Sequence, residues 1–208
     1  MEPWILGLLL IFIELGRSVP EFLRVVKHSS SDGLSPESLG VLAGTGVGWV
    51  ILPAMLEAWW IFAANALWLV FHIALCIAVS RVSPNKRLRL FATIVLCLVG
   101  LVVATVFLSE VMSTINAIGL LLGLATLLYS VPALIEGLKS ATTRGISVIA
   151  LSVNSVEGMI YTIIGIGIVQ MGSTQNPILG YIFFGLISLG SNLPRLVRVL
   201  WRRSKSLD

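Results

Sequence analysis

The chain has 208 residues, 57% of them hydrophobic and 12% charged, with a mean hydropathy of +0.99. That leaves too little polar surface to cover a water-soluble globule, so the composition excludes that class and points to a bilayer. A net charge of +4 and a pI near 9.4 would suit nucleic acid, but the cations gather at alternate connections, which is the pattern of membrane topology and not of a nucleic-acid surface.

Apolar stretches predict helices over 3–26, 35–56, 58–81, 88–108, 114–137, 147–170 and 177–200, each near the ~20 residues that cross hydrocarbon. The first carries Glu14, Arg17 and Glu21 around Pro20, and Arg24 and Lys27 follow near its end. Arg17 stands three residues after Glu14 and four before Glu21, so one guanidinium can serve either carboxylate. The second holds Gly44, Gly46 and Gly48 as GTGVG, then Trp49 four residues after Thr45. No strand precedes these glycines, so close helix packing is the expectation and a nucleotide fold is not. The third opens on Trp59 and Trp60, read as interfacial anchors, and continues to Asn65 and Trp68, which share a helix face. Arg81, Lys86, Arg87 and Arg89 surround the next connection, and the fourth stretch is uniformly apolar from Phe91 to Leu108.

In the fifth helix Pro132 stands seven residues before Lys139, and Arg144 lies in the connection to the sixth. The sixth carries Glu157 and, four residues on, Tyr161. An acid in the middle of an apolar helix is a functional candidate by default, because burying its charge is expensive. Asn176 lies in STQNPILG at the entry to the seventh, and Arg202, Arg203 and Lys205 form the tail. The opposite connections carry Glu57 and Glu110 without Lys or Arg. The bias predicts an N-terminus outside and a cytoplasmic C-terminus, in the cell membrane. MEPWILG has no basic leader, so a removable signal peptide is not expected. Cys76 and Cys97 stand at no ligand spacing, and no second ligand accompanies His72. Neither a metal nor another cofactor is expected, and no catalytic pair is found.

The chain also repeats itself. SVPEFLRVVKHSSSDGLS at 18–35 returns as SVPALIEGLKSATTRGIS at 130–147, so that Pro20 falls on Pro132, Lys27 on Lys139, Gly33 on Gly145 and Ser35 on Ser147 at a constant offset of 112. Further matches are Gly7 with Gly119, Leu39 with Leu151, Gly46 with Gly158 and Ile51 with Ile163. The reading is an all-α membrane protein of seven transmembrane helices. Residues 1–82 form one three-helix repeat, 83–110 a linker helix, and 111–208 the second repeat with its tail. Three crossings invert the next copy and the linker restores it, so the repeats are parallel.

This three-plus-one-plus-three pattern, with a proline late in the first helix of each repeat and a basic Ser/Thr-rich turn ending in Gly-Leu/Ile-Ser, resembles the PQ-loop superfamily and within it the SWEET sugar facilitators. Parallel repeats of this kind occur in transporters of that group. Glu21 and Ala133 stand where the family's Gln would follow each proline. The resemblance implies alternating access, with Pro20 and Pro132 as hinges of an inner gate and Glu14, Arg17 and Glu21 as its latch. It implies a solute pocket made by Asn65 and Trp49 with their second-repeat partners Asn176 and Tyr161. Thr45, Glu157 and Trp68 lie on the same faces. Asn65 with Trp49 suits a sugar, so a SWEET-like sugar facilitator is the first expectation and the alternative is a coupled carrier. Glu157 with Glu14 suits a proton-coupled carrier of an amino acid or other cationic metabolite. The expected partners are that small molecule and the lipid bilayer, with no nucleic acid. One chain supplies both halves of a path, and association into a homo-oligomer stays open.

Overall fold

A computed structural model describes residues 3–139, 146–170 and 178–205. Seven helices account for almost all of them: α1 Pro3–His28, α2 Pro36–Met55, α3 Trp59–Val82, α4 Pro84–Leu108, α5 Thr114–Lys139, α6 Val148–Gln170 and α7 Ile178–Ser204. Among the described residues there is no strand. The helices follow the apolar stretches, with one difference at α4, which begins at Pro84 and not at residue 88. Proline at the first helical position has a preset φ and no N–H to leave orphaned, so the helix starts there and runs through Lys86, Arg87 and Arg89.

Five helices, among the described residues, are long and apolar enough to cross a membrane: Pro36–Met55, Trp59–Val82, Pro84–Leu108, Thr114–Lys139 and Ile182–Ser204. They mark an integral membrane protein. In α1 the apolar run is broken by Glu14, Arg17, Glu21, Arg24 and Lys27, and the described apolar part of α6 is Val148–Ile163.

Two helix starts are built alike. The Ser38 amide donates to Ser35 Oγ at 3.1 Å, and the Ala150 amide donates to Ser147 Oγ at 3.2 Å. Each hydroxyl satisfies one of the donors that a helix N-terminus leaves over. The carbonyl just before each capping serine is held by a distant cation: Lys86 Nζ donates to the Leu34 carbonyl at 2.8 Å, and Arg203 Nη2 to that of Ile146 at 3.0 Å. Gly33, with φ of 80°, makes the left-handed turn that lets the chain enter α2.

α3 lies between α1 and α2, and α7 lies between α5 and α6. The two groups meet where α2 packs on α5 and where α1 packs on α6, which closes six helices into a ring. α4 stays outside, against α2, α3 and α5. Leu90 is its buried residue, while Leu96, Val99, Val102, Val106 and Phe107 are exposed. Such a surface suits lipid tails.

Because lipid tails are as apolar as leucine, burying apolar surface does little to hold these helices together, and close van der Waals approach has to do it. Glycine provides the approach. A Cβ at Gly40 would lie 2.7 Å from Thr93 Cβ, one at Gly44 2.8 Å from Cys97 Cβ, and one at Gly48 2.9 Å from Leu101 Cδ2. These three glycines, one turn apart, are the seat of α4 on α2. Gly46 faces the other way, where a Cβ would meet Leu69 Cδ1 at 2.7 Å on α3, and at Gly158 it would meet the Gly185 carbonyl at 2.9 Å on α7. The packing expected of GTGVG is thus found, divided between two neighbours.

Gly44→Ala is therefore expected to lower the midpoint of thermal unfolding, at a cost of about 1–3 kcal/mol for an overfilled contact. A methyl at Gly100 meets nothing within 4 Å, so Gly100→Ala is expected to leave the midpoint unchanged or raise it slightly. Equal midpoints for the two variants would sink this account of the seam.

Candidate functional site

Inside the ring, side chains from both halves of the chain meet in one small pocket. Its walls are Glu14 of α1, Leu42 and Trp49 of α2, Asn65 and Trp68 of α3, Tyr129 of α5, Glu157 and Tyr161 of α6, and Phe184 of α7. Six of these, Glu14, Trp49, Asn65, Trp68, Glu157 and Tyr161, are residues that the sequence nominated. The cavity measures about 20 Å³, room for about one water, so a solute enters only if the walls part. Glu14 and Glu157 are each 3% exposed. Two buried carboxyl groups, one from each half of the chain, thus line one small space, a placement that is costly within a membrane unless it serves a function.

The aromatic wall is interlocked. Phe184 meets Trp49 edge-on at a centroid distance of 5.4 Å and Tyr161 at 4.9 Å, so the α7 ring is set between the paired aromatics of α2 and α6. Such edge contacts fix ring orientation as well as adding dispersion. Trp68 stacks on His72 at 5.4 Å, and His72 Nε2 lies 3.1 Å from the Leu39 carbonyl, the geometry of an N–H donated to it. The histidine thereby binds α3 to α2.

Asn65 has a more specific task than pocket lining alone. Its Nδ2 donates to the Trp49 carbonyl at 2.6 Å. That carbonyl belongs to the residue four before Pro53, which sits inside α2 and has no N–H to return the helical bond. The amide of Asn65 supplies the donor that the proline withholds, and in doing so ties α3 to α2. This commits an amide hydrogen on which the sugar expectation relied.

Other nominated residues are placed elsewhere. Thr45 is buried, but its hydroxyl donates to the Val41 carbonyl of its own helix at 2.8 Å, and it lines neither this pocket nor the next. Asn176 and the Arg17 side chain lie outside the described residues. Pro20 and Pro132 are inside α1 and α5. Glu21 is half-buried and lines a second cavity, nearer the helix ends that carry Ser35 and the basic connections.

That second cavity, of about 70 Å³, has room for about five waters. It shares Leu42, Trp68, Tyr129 and Phe184 with the first, so these four side chains form a common partition. Four of its polar lining residues stand on α7: Ser188, Ser191, Asn192 and Arg195. All four are buried. The sequence reading missed them, although their spacing of i, i+3, i+4 and i+7 is one face of a helix and is the signal that would have found them. Ser18, Glu21, Ser35, Ser38, His72, Ser130 and Asn154 line the cavity as well.

No protein-family model, no curated protein and no solved structure matches the chain.

Removing the Asn65 amide by Asn65→Ala orphans the Trp49 carbonyl and is expected to cost about 1–3 kcal/mol of stability. Adding Pro53→Ala restores a backbone N–H and is expected to recover much of that loss. A double-mutant cycle on unfolding midpoints measures the coupling. Strict additivity of the two substitutions would refute the repair.

Proposed function

We propose that the protein is a membrane carrier that moves a small amine-bearing solute by alternating access, coupled to protons. On this reading the seven helices all span the bilayer as two parallel three-helix repeats with α4 as linker, in the manner of the PQ-loop and SWEET transporters that the doubled motif resembles. The N-terminus is outside and the tail is in the cytoplasm of the cell membrane. Support for the duplication comes from matching contacts at the offset of 112: the Ser35 and Ser147 caps, the Leu34 and Ile146 carbonyls held by cations, and Gly46 and Gly158 each seated on the third helix of its own half.

One observation carries the choice of solute. Glu14 from one half and Glu157 from the other line the same aromatic pocket. An ammonium group entering there finds two carboxylates and ring faces that favour cations. When no cation is present, a proton serves the same electrostatic purpose, and the exchange of one for the other links solute movement to pH. Pro20 and Pro132 each remove a helical hydrogen bond near the partition and are the natural bending points.

A neutral sugar is the second reading, favoured by the aromatic wall of Trp49, Tyr161 and Phe184. Flux into proteoliposomes separates the two. Uptake of a primary amine is expected to be driven by an imposed pH gradient, and Glu157→Gln is expected to abolish that drive. Saturable sugar uptake that ignores the gradient and survives Glu157→Gln would overturn the coupled reading. Saturable binding of either solute without flux would instead indicate a cargo receptor.

A further inference from the structure

The cavity on the far side of the partition holds a cation, Arg195, with the acid Glu21 on the same lining. Arg195 is 7% exposed, and its side chain is packed so tightly on α5 that a Cβ at Gly137 would lie 2.8 Å from its Nε. Nη1 donates to Asn192 Oδ1 at a long 3.4 Å, while Nε has no hydrogen-bond partner among the described residues. Three more atoms of this cavity share that condition: Ser18 Oγ, Ser130 Oγ and Asn154 Oδ1. The two serines are 4% and 3% exposed. They are repeat equivalents, each standing two residues before the proline of its helix, so α1 and α5 both bring a hydroxyl to the cavity that Arg195 lines.

Buried polar atoms without partners cost about 1–3 kcal/mol each, and they are retained where a ligand completes them. We propose that this cavity is a carboxylate-binding station. The transported solute therefore carries an acid group as well as the amine assigned to the other pocket. The carboxylate takes the guanidinium fork of Arg195 and the hydroxyls of Ser18 and Ser130, a planar two-oxygen group against a planar donor. Glu21 lines the same cavity and acts on Arg195 as its resting counter-charge, which weighs against a doubly charged anion such as phosphate. A neutral polyol leaves the charge of Arg195 without an incoming partner.

The two stations serve in turn. Phe184, which borders both cavities, precedes Arg195 by eleven residues, a rise of ~16 Å along α7. An α-amino acid is too short to hold both ends at once, so its amine engages Glu14 and Glu157 at one stage and its carboxylate engages Arg195 at another.

The inference rests on the amine-carrier reading, and three isosteric probes keep the two apart: isoamylamine, isovalerate and the neutral isovaleramide, titrated against the purified protein by calorimetry. Isovalerate is expected to bind the wild type about tenfold or more tightly than isovaleramide. Arg195→Gln is expected to remove that preference and leave isoamylamine affinity unchanged, while Glu157→Gln does the reverse. Should Arg195→Gln fail to fold, Ser18→Ala with Ser130→Ala takes its place, with a loss of about tenfold for isovalerate expected. Absence of saturable isovalerate binding, or equal affinity in the wild type and Arg195→Gln, overturns the carboxylate station. Absence of isoamylamine binding overturns the amine reading instead.

Discussion

In hydrocarbon a backbone carbonyl that loses its helical donor has no water to turn to, and the rest of this structure follows from how that debt is met. Proline stands inside four helices, at Pro20, Pro53, Pro132 and Pro194. At Pro53 the solution is visible: the Asn65 amide reaches from α3 to the Trp49 carbonyl. One hydrogen bond thereby fixes the distance between two helices and the position of Trp49. Pro20 and Pro132, by contrast, lie beside the polar cavity, close to Ser18 and Ser130. A break in the helix is tolerable where polar groups or a water-filled space adjoin it, and these two breaks adjoin such a space.

Glycine sets the complementary constraint. The seam of Gly40, Gly44 and Gly48 seats Thr93, Cys97 and Leu101 of α4 directly on the backbone of α2, with no α2 side chain between them. The same face has no room for a polar group, so polar residues of α2 are displaced to the faces that look inward or along the helix. Thr45 takes the second course by bonding its own turn. Outside the ring, α4 presents Leu96, Val99, Val102 and Phe107, while Glu14, Glu157, Asn192 and Arg195 are all within it. This distribution is what a bilayer selects, with an apolar α4 outside a ring whose interior holds the polar groups.

Much of this was legible in the sequence because periodic signals in a membrane chain are strong. The helix spans and the doubled Ser-Val-Pro and Gly-Leu/Ile-Ser motifs are read from spacing and from an offset of 112, while Trp49, Asn65 and Tyr161 are nominated through the family resemblance and Glu14 as part of a gate latch. What escaped has two physical causes. Arg195 was not singled out, although it stands seven residues before Arg202, the first of the tail cations, and its companions Ser188, Ser191 and Asn192 mark a polar face that a count of charges passes over. The work of Asn65 was hidden for another reason. Nothing local connects residue 65 with Pro53, and only tertiary packing brings an amide to the carbonyl that the proline orphans. Sequence identifies the amide as conspicuous, and the fold decides what it does.

On the proposed reading, the partition of Leu42, Trp68, Tyr129 and Phe184 has a role beyond packing. If Glu14 and Glu157 could reach Arg195, opposite charges in low dielectric would close on one another and the path would be sealed by its own ion pair. Aromatic and aliphatic side chains line both cavities between them and keep the two sets of polar groups apart. A receptor that only captures its ligand needs one such station. Two stations of opposite sign, held apart by an apolar partition and flanked by proline breaks on α1 and α5, fit a solute that changes partners as it passes, with bending at the prolines parting the walls that are otherwise too close to admit it.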